Sequence, residues 1–311
     1  MTGVTILGGG AFGTALAVAL AEVHSRVHLW ARQMPQGREM PRLPGVILPQ
    51  NVTVSPEIEV FGPILAALPM SQLEGVLRAH PALAAHPIVA CCKGIRPDSG
   101  LGPAGVITSV FPESAPALLT GPSFAIDIAR GLPTALTLAC ADPALGAMLQ
   151  EQLSTPRLRL YLTTDVAGAE LGGALKNVIA IACGIAMGAG FGESARAALM
   201  TRGFAEMTRF AVAHGALPET LAGLSGLGDL SLTSSSEKSR NFAYGLALGR
   251  GETPDSATTT EGIATARACA ARARSAGIPL PVTEATAAVL AGEISPNQAL
   301  TQLLSRPLTQ E

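Results

Sequence analysis

The chain has 311 residues, 48% of them hydrophobic and 14% charged, with a formal net charge of −2. That length allows one large or two ordinary domains with a real core, and a mean hydropathy of +0.37 excludes a disordered chain. The weak negative charge gives no bulk attraction for nucleic acid, and the most apolar run, around Val178 to Met187, is about half of the roughly 20 residues a membrane span needs. Met1 leads straight into a strand-like run without a basic and apolar leader. The expectation is a cytoplasmic protein acting on a small molecule, with no nucleic-acid partner and no integral membrane association.

Val4-Thr5-Ile6-Leu7 reads as a short buried strand that runs into Gly8-Gly9-Gly10-Ala11-Phe12-Gly13 and then into the helical pattern from Thr14 to Leu20. Strand, glycine turn and helix in this order form a dinucleotide fingerprint. Gly8 permits the tight turn, Gly10 lets a pyrophosphate approach the backbone, Gly13 lets helix and strand pack closely, and the helix N-terminus supplies donors. The next strand, Arg26 to Trp30, is followed by Arg32 where an NAD site usually carries an acid. An arginine there favours a 2′-phosphate, so NADP is the expected cofactor, preferred over NAD.

Residues 33–55 are proline-rich and read as a loop over the cofactor cleft. Ile64 to Pro69 reads as a buried strand, with Ser71 placed to cap the helix that follows. Pro87 to Cys92 is another buried strand and delivers Lys93-Gly94 at its carboxyl end, the edge where ligands sit in open α/β sheets. A strand at 115–120 leads into Gly121-Pro122-Ser123-Phe124-Ala125, with Ser123 placed to cap a short helix. Thr134 to Cys140, a helix from Pro143 to Leu153 and a strand from Leu158 to Leu162 complete the α/β half.

From Asp165 onward only helical patterns remain, roughly 165–189, 193–214, 218–222, 240–249, 260–276, 282–291 and 296–304. The fold expected is therefore an α/β chain, with an N-terminal Rossmann-type dinucleotide-binding domain over residues 1–164 and an all-helical substrate domain over 165–311. Five scattered cysteines without a Cys-x-x-Cys pair and five histidines without ligand spacing indicate neither a disulfide framework nor a metal site.

Within the helical half, Glu170-Leu171-Gly172-Gly173-Ala174-Leu175-Lys176-Asn177 holds one of only three lysines beside eighteen arginines. Arginine stays protonated at any workable pH, whereas a lysine in the right surroundings gives up its proton, so only lysine serves as a general base. Lys176 stands in an apolar segment; read structurally, it is a lysine that snorkels its charge from a helix edge. Further on, Ser234 to Asn241 is a polar run that ends where a helix begins. Helix amides, an arginine fork and Ser or Asn side chains form a phosphate clamp there, or an ordinary capped loop.

Taken in order, Gly8 to Gly13, Lys93-Gly94, Gly121 to Ala125, Glu170 to Asn177, Thr201-Arg202-Gly203, Gly226-Leu227-Gly228-Asp229-Leu230 and Ser239-Arg240-Asn241 resemble the bacterial NAD(P)-dependent glycerol-3-phosphate dehydrogenases, nearly end to end. The resemblance implies that Lys176 is the proton acceptor and that Lys93, Gly121, Ser123, Asp229, Ser239, Arg240 and Asn241 surround a phosphorylated substrate. It implies that Gly8, Gly10, Ala11, Phe12, Gly13, Arg32, Lys93, Ala125, Arg240 and Glu261 contact the dinucleotide, and it is compatible with a homodimer. It further implies a role in supplying glycerol 3-phosphate to phospholipid synthesis. Two departures stand out, a short loop between Arg32 and Leu43 and Ser194-Ala195-Arg196 where the family has asparagine-threonine-lysine. The readings that compete are a dehydrogenase of a small hydroxy acid, which would need no phosphate clamp, and a sensor that binds NADPH without turnover.

Overall fold

The computed structural model describes residues 3–35, 37–254 and 261–305, and the chain divides into two compact units. Unit one comprises Met1–Lys93 and Leu101–Glu170, and unit two comprises Gly94–Gly100 and Leu171–Glu311.

Unit one is built on eight strands: β1 (Gly3–Leu7), β2 (Arg26–Trp30), β3 (Val52–Ser55), β4 (Ile64–Ala66), β5 (Ile88–Ala90), β6 (Ala117–Thr120), β7 (Thr134–Cys140) and β8 (Leu158–Thr163). Its helices are α1 (Ala11–Leu20), α2 (Met70–Ala79), α3 (Pro103–Val110), α4 (Ala125–Ala129) and α5 (Pro143–Leu153). The strand order is β3-β2-β1-β4-β5-β6-β7-β8; the pairings from β3 through β6 are parallel, β7 runs antiparallel to β6, and β8 runs parallel to β7. Chain direction across the sheet reverses at β1 and β4, so their carboxyl ends flank the crevice where such sheets bind ligands.

Both faces of this sheet are covered, which is why its central strands read as unbroken apolar runs. Leu65 and Val89 join one core with Ala15, Leu16 and Leu20 of α1, while Ile64, Ala66, Ile88 and Ala90 join the opposite core with Leu73 and Leu77 of α2 and Val106 and Ile107 of α3.

Three expectations need correction, and one helix is unexpected. The segment 33–55 is not all loop, because Val52 to Ser55 pairs in register with Val27 to Trp30 as the edge strand β3; four residues are too few for a periodicity to stand out. Helix α3 has no signal of its own in the sequence beyond Pro103 in its first turn, since the group that satisfies its N-terminus comes from far along the chain. Ser71 lies inside α2, whose N-cap is Pro69, and does not cap it. Nor does Ser123 cap α4, which starts after Phe124; one residue too early, its hydroxyl turns back and donates to the carbonyl of Gly121 at 3.4 Å.

Unit two is helical. Helix α6 (Val166–Gly188), whose residues from Leu171 onward belong to this unit, is followed by α7 (Gly192–Val212), α8 (Pro218–Ala222), a π-helical turn (Leu224–Gly228), α9 (Asp229–Thr233), α10 (Arg240–Gly249), α11 (Glu261–Ala276), α12 (Pro281–Leu290) and α13 (Pro296–Leu304). The expected start of α11 at residue 260 lies outside the described residues. At 23 residues α6 is long and apolar enough by composition to cross a membrane, which corrects the shorter apolar run expected. Yet 89% of its most apolar stretch is buried inside the protein, so its character is that of a core helix.

Helices α6 and α10 cross through four glycines. A Cβ at Gly184 would stand 2.2 Å from the Phe242 carbonyl oxygen and one at Gly188 2.1 Å from that of Leu246; on the other side, Gly245 and Gly249 would meet the Ile181 and Ile185 carbonyls at 2.2 and 2.3 Å. Only hydrogen fits at these positions, so the two backbones lie in contact. Their relative placement is fixed by main chain rather than by adjustable side chains.

Each unit also has a glutamate, half-buried at Glu170 and buried at Glu206, that caps a helix from a distance. In unit one Glu170 accepts the Ala104 amide at 2.8 Å in the first turn of α3, and Gly102 makes room for it, because a Cβ there would lie 2.0 Å from the carboxyl carbon. In unit two Glu206 of α7 accepts from the Val282 amide at 2.6 Å, the Thr283 amide at 3.0 Å and the Thr283 hydroxyl at 3.1 Å, closing the N-terminus of α12. Burial pushes both carboxyls up, that of Glu206 to about 7 despite the three hydrogen bonds and the nearby Arg209 that oppose the rise.

Candidate active site

Of the expected dinucleotide residues, Gly8 to Gly13, Arg32, Lys93 and Ala125 follow the carboxyl ends of parallel strands of unit one, whereas Arg240 and Glu261 belong to unit two. Gly8 leaves β1 with φ of 119°, a conformation open to glycine, and its amide donates to the Trp30 carbonyl at 2.9 Å. A Cβ on Gly8 would lie 2.4 Å from the carbonyl oxygen of Ala67, just past β4, and one on Gly13 would lie 2.0 Å from that of Gly8. Packing therefore demands those two glycines. Gly10 is different: nothing stands within 4 Å of where its Cβ would be.

Gly10 is also the N-cap of α1 and offers no side-chain cap, so the amides at Ala11 and Phe12 begin the helix unsatisfied by any side chain. Open space before an uncapped helix N-terminus, at the switch point of the sheet, is what a pyrophosphate requires. These residues fit a bound dinucleotide. Arg32 follows β2 at the same edge, exposed, with Nη2 donating to Oε1 of Gln72 at 3.2 Å. Lys93 lies past the end of β5, half-buried, and its charge partly offsets the burial that raises the Cys91 thiol. Gly121 follows β6 with φ of 136°, Ser123 turns back onto it, and Ala125 opens α4.

In unit two, three side chains from two elements close a triangle. Lys176, on α6 and 7% exposed, donates from Nζ to the Thr233 hydroxyl at 2.7 Å and pairs with Asp229 Oδ1 at 3.0 Å; Thr233 in turn donates to that Oδ1 at 3.1 Å. Because the threonine gives its own proton to the carboxylate, it presents a lone pair to the ammonium. The structural reading of Lys176 as a snorkelling surface charge is overturned, since its nitrogen is held inside. A buried charge persists only when paired and hydrogen-bonded, and here both conditions are met.

The element that makes this triangle possible is the π-helical turn Leu224–Gly228, which runs into α9 at Asp229. Close packing shapes it: a Cβ on Gly226 would lie 2.0 Å from the Leu221 carbonyl oxygen, and one on Gly172 of α6 would lie 2.9 Å from that of Ser225. Sequence reasoning misses Thr233. Its signal is the spacing from Asp229, one helical turn earlier, which puts both side chains on one face.

The third group is the head of α10. Ser239 is its N-cap, accepting from the Phe242 amide at 3.2 Å, and Arg240 is exposed in the first turn. Asn241 does not cap α10. Its Nδ2 donates to Oδ1 of Asn177, next to Lys176, at 3.0 Å, and its Oδ1 accepts the Gly262 amide at 3.2 Å, just after Glu261 at the start of α11. Arg196, at the departure from the family pattern, pairs with Glu193 through Nε at 2.7 Å and donates from Nη1 to the Ser234 carbonyl at 3.4 Å, beside Thr233.

Comparison with known proteins agrees along the whole chain. The profile described as NAD-dependent glycerol-3-phosphate dehydrogenase N-terminus matches residues 3–146, and the C-terminus profile of the same family matches residues 165–301. A glycerol-3-phosphate dehydrogenase [NAD(P)+] from Cereibacter sphaeroides is 57% identical, covering 99% of this chain and 100% of its own, and one from Ruegeria sp. is 54% identical with 99% of each chain covered. The crystal structure of glycerol-3-phosphate dehydrogenase from Coxiella burnetii superposes with a TM-score of 0.91 at 34% identity, covering 98% of this chain and 99% of that one.

Proposed function

This chain belongs to the NAD-dependent glycerol-3-phosphate dehydrogenase family, and on that premise we propose that it interconverts dihydroxyacetone phosphate and sn-glycerol 3-phosphate, with Lys176 as the acid and base. The observation that carries this reading is the buried triangle of Lys176, Asp229 and Thr233. The dinucleotide, when bound, supplies or accepts the hydride. Ala11 and Phe12 offer its pyrophosphate the backbone donors of α1, Gly10 leaves the space for it, Gly8 and Gly13 shape the turn that brings it there, and Arg32 supplies a cation for a 2′-phosphate, which supports NADPH over NADH. Lys93, Gly121, Ser123, Ala125 and Glu261 are assigned contacts to substrate or dinucleotide on the strength of the resemblance.

In ketone reduction Lys176 enters protonated. The Asp229 carboxylate at 3.0 Å stabilises the ammonium, so the proton is in place before hydride arrives at the carbonyl carbon. As the carbonyl oxygen gains charge, Nζ polarises it and then delivers the proton, leaving a neutral amine held by the Thr233 hydroxyl. In alcohol oxidation the neutral amine takes the hydroxyl proton while hydride leaves the same carbon. Acid–base assistance of this kind contributes on the order of 10²–10⁴ in rate. Ser239, Arg240 and Asn241 at the head of α10 hold the phosphate, which the helix N-terminus and the arginine fork both favour. A cytoplasmic enzyme leaning on NADPH in this way would supply glycerol 3-phosphate for phospholipid synthesis.

The deciding experiment follows NADPH absorbance on mixing the protein with dihydroxyacetone phosphate, dihydroxyacetone or pyruvate, and repeats it with NADH. Rapid oxidation with the phosphorylated ketone, faster with NADPH, is the expected result. Oxidation with pyruvate would move the reading to a hydroxy-acid dehydrogenase, and NADPH binding without turnover of any ketone would make the protein a sensor.

A further inference from the structure

Asn177 is buried, 2% exposed, and the mechanism above gives it no part. Its neighbourhood carries an internal logic of donors and acceptors. The amide of Gly262 is a donor only, so the Asn241 side chain must turn Oδ1 toward it at 3.2 Å. That leaves Nδ2 of Asn241 facing α6, where Asn177 must present Oδ1, and the two meet at 3.0 Å. The chain of bonds has one direction, from the peptide that follows Glu261, through Asn241, to Asn177.

The space around this chain allows no other arrangement. A Cβ on Gly262 would fall 2.6 Å from Oδ1 of Asn241 and 2.9 Å from the Asn177 carbonyl oxygen, so α11 begins in direct contact with both asparagines. Lower down, the four glycines of the α6 and α10 crossing lock those two helices backbone to backbone. An amide flipped at Asn241 would set its NH₂ against the Gly262 N–H and leave buried groups unpaired, at a cost of about 1–3 kcal/mol for each group. Asn177 supplies, from the α6 side, the buried acceptor that holds this orientation.

We propose that Asn177 is a positioning residue that fixes the Asn241 carboxamide, and that Asn241 in turn fixes the Glu261–Gly262 peptide. The phosphate clamp at the head of α10 and the dinucleotide contact at the head of α11 are thereby set by one hydrogen-bond chain. The inference rests on the reading of Ser239, Arg240 and Asn241 as the phosphate clamp and of Glu261 as a dinucleotide contact. Its consequence is that substrate phosphate and dinucleotide are read jointly by residues that share no sequence motif.

The test is a double-mutant cycle with Asn177→Ala, Asn241→Ala and both together, each confirmed folded by its thermal transition. For each protein kcat/KM is measured with dihydroxyacetone phosphate and with dihydroxyacetone, and NADPH dissociation is measured by fluorescence without substrate. Losing one buried hydrogen bond of this kind should lower the preference for the phosphorylated ketone by about tenfold in Asn177→Ala, and by less than about twofold more when Asn241 is already alanine. NADPH should bind more weakly in Asn241→Ala, by about threefold to tenfold, although that side chain is assigned to the substrate. Equal losses with both ketones, or additive effects in the double variant, would overturn the positioning role. If Asn177→Ala does not fold, NADPH binding to Asn241→Ala still decides: an unchanged dissociation constant rejects the link to α11. A wild-type protein that does not prefer the phosphorylated ketone would instead sink the clamp reading, and the proposal with it.

Discussion

The two units would carry the proposed function by different means. In unit one the groups proposed to bind the dinucleotide are main-chain atoms of a short continuous stretch, Gly8 to Gly13, and glycine serves by the absence of a side chain. In unit two the groups are side chains from separated helices: Lys176 from α6 meets Asp229 and Thr233 from α9, and Asn177 meets Asn241 from α10. A backbone site is preserved as long as its turn forms, because the amides come with the helix. A side-chain site survives only if several helices keep their mutual positions, which explains why unit two locks α6 to α10 with four glycines and leaves no compliant side chain between them.

This contrast can be broken most sharply at Lys176. Lys176→Arg keeps the charge but cannot deprotonate, so kcat should fall by on the order of 10²–10⁴ while NADPH binding, in which Lys176 is assigned no contact, stays as it was. Near-normal turnover would remove Lys176 from proton transfer.

A second effect of similar size should appear in stability. Burial keeps Glu206 protonated in the folded protein up to about 7, whereas in the unfolded chain its carboxyl titrates at the ordinary value of 4.5. Its folded value is raised, so the stability it contributes is fully present below the unfolded value and is lost as pH climbs through about 7. The loss is about 3 kcal/mol at most, because each tenfold change in proton affinity corresponds to about 1.4 kcal/mol. Glu206→Gln should therefore flatten the fall in melting temperature across that window, and an unchanged slope would show that the carboxyl is ionised inside the fold. Arg240→Ala comes next, with an expected rise in KM for dihydroxyacetone phosphate of about 10- to 100-fold, from the loss of one charge-assisted contact. An unaltered KM would remove Arg240 from the clamp.

The smallest effects compare glycines directly. Gly249→Ala drives a Cβ to 2.3 Å from the Ile185 carbonyl and should cost about 1–3 kcal/mol of folding stability, read as a lower urea midpoint. Gly10→Ala meets no protein atom within 4 Å, so it should leave that midpoint nearly unchanged and weaken NADPH binding instead. If Gly10→Ala destabilised the protein as much as Gly249→Ala, the space before α1 would be a packing feature rather than a ligand site.

Elements whose cause is local can be read directly from the residues. The glycine turn after β1, strand β7, helices α5, α8, α10 and α13, and the change from alternating to purely helical patterns near residue 164 are all legible, because turn chemistry, apolar periodicity and caps lie within a few residues of one another. The scarcity of lysine in an arginine-rich chain also singles out Lys176. Other features depend on groups distant in the chain and emerge only when the chain folds. Helix α3 is capped by Glu170, 66 residues away, and β3 exists because β2 offers it a partner. Thr233 joins Lys176 across 57 residues, and Asn241 finds its acceptor 64 residues back. No local propensity encodes such pairings; each is fixed when buried donors and acceptors, cut off from water, must find one another.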